Sequence, residues 1–532
     1  MSVKKKTSRS LAGIAGIVAV ATLISKVFGL VREQAIAAAF GVGPVANAYV
    51  YAYVIPGFLL ILLGGINGPF HSALVSVLAK RDKSEAAPLV EAVTTLVSGI
   101  LLVVTVVLII FAGTFIDLLA PGLEAEVRAI AVQQLQIMAP LALLAGLIGI
   151  GFGTLNAADQ YWLPSVSPLF SSLAIMFGLG ALAFQLGEQI SDPQYAEFGG
   201  LILAGGTLVG AILQWLAQLL AQLRSGLGGL RLRFDLRIPG LKEVMKVMLP
   251  ATLSSGMLHI NVYTDFFFAS YIPSAAAAMK FGNLIVLTPL GIISNMILVP
   301  MLPVFSRLTS PEQWPDLKIR IRQGLLLTAL TMLPLSAIFI SLGIPIVRIV
   351  YERFAFDKEA SLIVAPVLMT YGAGMFFYLG RDVLVRVFYA LGDGETPFRI
   401  SIFNIFLNGL LDFLLVKAFA TPGLIMSTIG VNVVSMTLLL WALNRKINGL
   451  PFAEWGLALL NITLCSATAG LASWGTSWGF QKFFGDDNLL LLVLQFLSGA
   501  TAALLVFAVL ITFLKLPEVD ILVRRIRQKI GK

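Results

Sequence analysis

Ile100-Leu101-Leu102-Val103-Val104-Thr105-Val106-Val107-Leu108-Ile109-Ile110 runs for eleven residues without a charge. The apolar residues are continuous rather than alternating, which argues against a β-barrel strand. The run lies inside a longer apolar stretch, 88–118, with Lys80, Arg81 and Lys83 just ahead of it. Roughly 20 apolar residues cross the hydrocarbon core as a helix. Lipid offers the backbone no water, so a spanning segment must be a helix or part of a closed barrel.

Working outward, the same pattern recurs about fourteen times. Helices are expected at 11–38, 46–79, 88–118, 127–155, 162–185, 199–222, 245–271, 281–305, 323–347, 363–391, 399–416, 422–443, 455–478 and 489–514. The second should bend or break, because it holds Pro56 and the run Gly64-Gly65-Ile66-Asn67-Gly68-Pro69. Hydrophobic residues form 58% of the 532-residue chain and charged residues 12%, whereas a soluble domain carries about 25% charged residues. The expected fold is an all-α polytopic membrane protein of about fourteen transmembrane helices.

The cations fix an expected orientation. With the N-terminus in the cytoplasm, 26 of the 37 Lys and Arg residues fall on one side and eight on the other. Lys26, Arg381 and Arg386 sit inside apolar stretches. The positive-inside rule then puts both termini in the cytoplasm. The net charge of +9 does not imply nucleic acid, because these cations border apolar spans. The basic start, Lys4-Lys5-Lys6, is read as the cytoplasmic end of a first helix and not as a cleaved leader. The single cysteine, Cys465, permits no disulfide within one chain and no cysteine-based metal site.

Helices one and two resemble helices seven and eight in having polar residues in the first of the pair and a Pro, Pro56 or Pro289, in the second. This weak parallel repeat divides the chain into an N-lobe over 1–222, a basic linker over 223–244, a C-lobe over 245–446, and two extra helices with a basic tail over 447–532. A substrate site belongs at the interface of such repeats.

An ionisable group near the bilayer centre costs at least ~2.5 kcal/mol, so those within spans need a partner or a wet cavity. They are Lys26, Arg32 and Glu33 in helix one, His71 in helix two, and His259 and Asp265 in helix seven. Arg381, Asp382 and Arg386 lie in helix ten and Asp412 in helix eleven. Lys26 and Glu33 are seven residues apart, one above the other by ~10 Å on a helix. Asp382 and Arg386 are spaced to pair directly, and His71, His259 and Asp412 read as buried structural residues. A cavity lined with Lys and Arg suits a phosphate-bearing substrate. The chain has no P-loop pattern, nucleophile triad or metal-ligand cluster. The expectation is therefore a transporter, not an enzyme, with no cofactor and no hydrolysis of ATP.

Ser25-Lys26-Val27-Phe28-Gly29-Leu30-Val31-Arg32-Glu33, followed by Phe40-Gly41-Val42-Gly43, resembles the opening of the MurJ/MviN family of lipid II flippases. Phe388-Tyr389-Ala390-Leu391-Gly392-Asp393-Gly394-Glu395-Thr396-Pro397 looks like that family's loop between helices ten and eleven. Leu155-Asn156-Ala157 with Pro164 and Ser167-Pro168 is a looser match. The resemblance implies the multidrug/oligosaccharidyl-lipid/polysaccharide exporter fold, with two six-helix lobes about a cavity and a groove for a polyprenyl tail on helices 13 and 14. It implies outward transfer of lipid II, or a similar polyprenyl-diphosphate-linked saccharide, by alternating access in the bacterial inner membrane. The drive would be the membrane potential or an ion gradient, Na+ or H+. Membrane lipids and cell-wall synthesis proteins are the other implied partners. Alternatives are an exporter of another polyprenyl-linked saccharide, a cation-coupled drug antiporter and a non-transporting scaffold.

Some family positions differ here. Lys26 stands where the family has arginine, losing the bidentate fork, and Asn47 stands where it has aspartate. The arginines after Pro56 and in helix eight are missing, with Lys280 close to the second. Lys26, Arg32, Lys280, Arg381 and Arg386 are the expected substrate contacts. Glu33, Asn47, Asp265 and Asp382 are the expected gating or ion-coupling groups.

Overall fold

A computed structural model describes residues 11–64, 69–78, 81–235, 237–257, 260–486, 488–514 and 517–518. Among these the regular structure is helical. In chain order the helices are α1 (Leu11–Phe40), α2 (Pro44–Gly64), α3 (Pro69–Leu78), α4 (Lys83–Ile110), α5 (Ala112–Leu119), α6 (Ala125–Met138) and α7 (Leu141–Ala157). Next come α8 (Trp162–Val166), α9 (Leu169–Leu186), α10 (Ala196–Arg224), α11 (Leu241–Met257), α12 (Ile260–Ala269) and α13 (Ala275–Ser306). The remainder are α14 (Trp314–Ser341), α15 (Gly343–Tyr351), α16 (Lys358–Ala390), α17 (Glu395–Lys446), α18 (Phe452–Phe484) and α19 (Leu489–Phe513).

Every expected stretch coincides with helix, but several are divided. The second stretch is represented by α2 and α3, and residues 65–68 between them lie outside the described residues. Stretch 88–118 breaks at Phe111 into α4 and α5, and 127–155 bends by 40° between α6 and α7. Conversely, 399–416 and 422–443 lie in the single run α17, which departs from helical geometry at Ala420 (φ 50, ψ −133). Among the described residues ten helices are long and apolar enough to cross a membrane, or eleven with α6 and α7 counted as one span.

The chain forms two compact units. The first comprises Met1–Ala277 with Arg353–Ala355, and the second Ala278–Glu352 with Phe356–Lys532. In the first, α2 packs on α6 and α7, and α7 also packs on α3 and α4. Glycine makes this close packing possible: a Cβ on Gly149 would meet the Leu63 carbonyl oxygen at 2.0 Å. Small residues at helix crossings are the usual route to tight association where lipid removes the hydrophobic drive. Leu74, Leu89, Val90 and Val93 are fully buried in the resulting core, together with Val244 of α11.

In the second unit α16 packs on α14 and α17, and α18 pairs with α19 and lies on α14. Asp357 caps α16 by accepting from Ala360 N at 2.8 Å, satisfying one of the donors a helix start leaves open. Polar bonds fasten the last two helices. Gln495 Nε2 donates to Ser477 Oγ at 2.9 Å, and Ser341 Oγ donates to Ser473 Oγ at 2.9 Å. Arg348, 6% exposed, pairs with Glu352 at 2.7 Å and with Asp486.

Candidate substrate and gating residues

Arg32 and Glu33 meet in the last third of α1. The guanidinium donates to one carboxylate oxygen, Oε1, from Nε at 3.1 Å and from Nη2 at 2.7 Å. Their side chains are 28% and 5% exposed. Tyr49 and Tyr53 lie within electrostatic reach of Arg32. They are one turn apart on α2, stacked with ring centroids 5.6 Å apart. Tyr49 shares a 3.0 Å hydroxyl hydrogen bond with Thr207 of α10. A buried acid, a cation and three hydroxyl-bearing side chains thus converge inside a bundle of apolar helices. Lys26 stands apart from them, exposed on α1.

Asn47, in the first turn of α2, is 5% exposed. Its side-chain carbonyl accepts from Ala277 N at 3.2 Å, so it ties the start of α2 to the start of α13. Asp265 of α12 is half-buried and engaged by neighbours, as is Lys280 of α13. His71 shares a 2.9 Å hydrogen bond with Asn156, in keeping with a structural role, whereas His259 lies outside the described residues.

On α16, Asp382 is exposed between half-buried Arg381 and Arg386, and both cations act on it electrostatically. Arg381 Nε is buried without a hydrogen-bond partner among the described residues. Asp412 is fully buried. It accepts from Asn408 Nδ2 at 3.3 Å, and Asn408 Nδ2 also reaches Ser427 Oγ at 3.1 Å. This polar contact joins the two arms of α17 on either side of Ala420.

The structure therefore brings Arg32, Glu33, Tyr49, Tyr53 and Thr207 together in the first unit, and Arg381, Asp382 and Arg386 together in the second. Sequence reasoning missed the tyrosines and Thr207. Their signal was there in Tyr49-Val50-Tyr51-Ala52-Tyr53, which places two hydroxyls four residues apart within an apolar helix. For Arg348 the signal was half local: Glu352 stands four residues on, but Asp486 lies far along the chain.

The sequence pattern of the lipid II flippase MurJ matches residues 36–494. The chain belongs to the MurJ family. A probable lipid II flippase MurJ from Synechocystis sp. is 64% identical over 529 residues, covering 99% of each chain. A lipid II flippase MurJ from Burkholderia cenocepacia is 29% identical over 440 residues, covering 80% of this chain and 82% of that one. Among solved structures, a lipid II flippase MurJ in an inward closed conformation aligns with TM-score 0.74 at 21% identity, covering 93% of this chain and 99% of that one. An inward-facing multidrug transporter of the MATE family, from the MOP superfamily, aligns with TM-score 0.62 at 17% identity, covering 81% and 98%. The drug-transporter fold is thus shared, while kinship in sequence lies with the MurJ family.

Proposed function

We propose that the protein moves lipid II from the inner to the outer leaflet of the bacterial cytoplasmic membrane by alternating access, with both termini in the cytoplasm. The observation that carries this reading is the Arg32–Glu33 pair, set among hydroxyls in a chain of MurJ ancestry. A diphosphate is a bidentate acceptor, and guanidinium is the side chain best shaped to hold one. Glu33 holds the Nε and Nη2 side of Arg32 through one oxygen, so the substrate shares the guanidinium with a carboxylate or displaces it. That competition makes Glu33 a natural gating group: whatever neutralises or withdraws it frees the cation.

Lys26, Lys280, Arg381 and Arg386 are the further proposed substrate contacts. Asn47, Asp265 and Asp382 are proposed to serve gating or ion coupling. The Asn47–Ala277 hydrogen bond supports the gating role of Asn47, because one bond joins the starts of two helices. The energy source in this reading is the membrane potential or a gradient of Na+ or H+, and no cofactor takes part. Lipid II is the partner, with cell-wall synthesis proteins as neighbours.

The test has two parts. Arg32→Ala should fail to rescue cells depleted of their native flippase even when its expression is raised to match the native protein's level in the membrane; full rescue removes Arg32 from the mechanism. Purified protein in liposomes should carry labelled lipid II across the bilayer. A protein that rescues cells but moves nothing in liposomes is a scaffold.

A further inference from the structure

The segment 225–240 joins α10 to α11, and among its described residues apolar side chains are buried at its two ends and exposed between them. Leu227 is buried in the core of the first unit and Ile238 packs against that core. Between them Leu230, Leu232 and Phe234 are 57%, 78% and 78% exposed. The backbone is nonetheless pinned at Gly228, Arg233 and Pro239. Gln222 Nε2 donates to the Gly228 carbonyl at 3.3 Å. Arg233 N donates to Thr95 Oγ1 at 2.9 Å, and Arg233 Nε to Glu91 Oε2 at 3.1 Å. Arg81 Nη1 donates to the Pro239 carbonyl at 2.5 Å. The segment is thus held along the start of α4 with three large apolar side chains turned away from the protein.

Depth and charge indicate what covers them. The outward apolar surface of α4 includes Ile100, Leu102 and Val103. Ile100 is five residues beyond Thr95, or ~7.5 Å along the helix axis. That distance is about the thickness of one headgroup layer, so the backbone at Arg233 lies among the headgroups, from where large apolar side chains reach toward the acyl boundary. Arg224, Arg231, Arg237, Lys242 and Lys246 around it are all exposed. The exposed acids nearby are Asp235 and Glu243, with Asp82 and Glu85 at the start of α4, and Asp235 accepts from Arg237 N at 2.9 Å. An apolar wedge ringed by excess cations matches the surface of an anionic membrane.

We propose that this segment is an interfacial anchor. Leu230, Leu232 and Phe234 insert at the acyl boundary of the leaflet on the basic side of the protein. Arg224, Arg231 and Arg237 bind the phosphate of anionic lipid headgroups. The anchor holds the connection between α10 and α11 on the membrane surface whatever substrate the protein carries.

Labelled single-cysteine variants in vesicles test this. Cys465→Ser removes the native thiol, and Leu232→Cys, Phe234→Cys or Asp235→Cys then carries an environment-sensitive fluorophore. Vesicles contain phosphatidylcholine with or without phosphatidylglycerol. Labels at 232 and 234 should be quenched by lipids brominated high on the acyl chain and shielded from acrylamide, a neutral aqueous quencher. The 235 label should behave the opposite way. Brominated phosphatidylglycerol should quench in preference to brominated phosphatidylcholine, a preference falling about fivefold for each of Arg224→Gln, Arg231→Gln and Arg237→Gln. Equal acrylamide quenching at all three positions overturns the anchor, and equal quenching by the two brominated lipids overturns the headgroup contacts. Shielding that appears only after membrane-extract proteins are added assigns the face to a protein and likewise overturns the proposal.

Discussion

Glu33 is 5% exposed and pairs with Arg32 at 2.7 Å. Removing one partner of a buried pair leaves the other charge without compensation, and this costs more than removing both. Glu33→Ala should therefore lower stability by about 3 kcal/mol, and Arg32→Ala added to it should restore part of that. Thermal melts of the purified protein in detergent check this; equal losses in the single and double variants refute it. Asp393, in the connection before α17, poses a different question. Burial pushes its carboxyl up, but bonds from Lys446 at 2.7 Å and from the Thr396 backbone and hydroxyl outweigh that and hold it at about 2. Its unfolded value is about 3.9. The folded value is the lower one, so the contribution is present above about pH 4 and is lost as pH falls through about 2. Asp393→Asn should lower the melting temperature at pH 7 and flatten its decline between pH 4 and pH 2.

The turn within α17 makes demands that the sequence meets at one position and violates at another. Ala420 adopts φ 50 and ψ −133, a conformation open to glycine and costly for a residue with a Cβ, by roughly 1–3 kcal/mol. Three residues on, Gly423 lies so close to the preceding arm that a Cβ would meet the Leu415 carbonyl oxygen at 2.4 Å. Ala420→Gly should raise the melting temperature and Gly423→Ala should lower it, a pair of opposite signs read in one scanning experiment. α2 runs on through Pro56, and the break expected over Gly64–Pro69 falls on residues 65–68, outside the described residues. The break at Phe111 has only Gly113 beside it, in the first turn of α5, a weak cue in a chain with many glycines inside helices. The 40° bend between α6 and α7 does have Pro140 at its hinge, yet proline is common inside spanning helices that stay continuous, as Pro289, Pro300 and Pro303 do in α13.

For the whole molecule, the cation distribution predicts an orientation in the membrane. Gln194, between α9 and α10, should face outside, and Glu312, between α13 and α14, should face the cytoplasm. In a Cys465→Ser background, Gln194→Cys should react with a membrane-impermeant thiol reagent on intact spheroplasts. Glu312→Cys should react only after permeabilisation, and the reverse result inverts the orientation. Much of the candidate site was legible as well, because an ion inside an apolar run is conspicuous: Arg32, Glu33 and Arg381 are found by inspection. Their partners were less so. Tyr49 meets Thr207 across 158 positions and Arg348 meets Asp486 across 138, separations at which periodicity carries no information.

Composition and the length of the apolar runs determined by themselves that this chain is a bundle of apolar helices, and roughly where each lies. Helical hydrogen bonds close within four residues, and lipid permits the backbone almost nothing else. Tertiary structure alone decided which polar groups are satisfied and by whom, from Asn47 on Ala277 to Arg233 on Glu91. Those bonds join segments distant in sequence, and only the packing of one helix against another brings their atoms within reach.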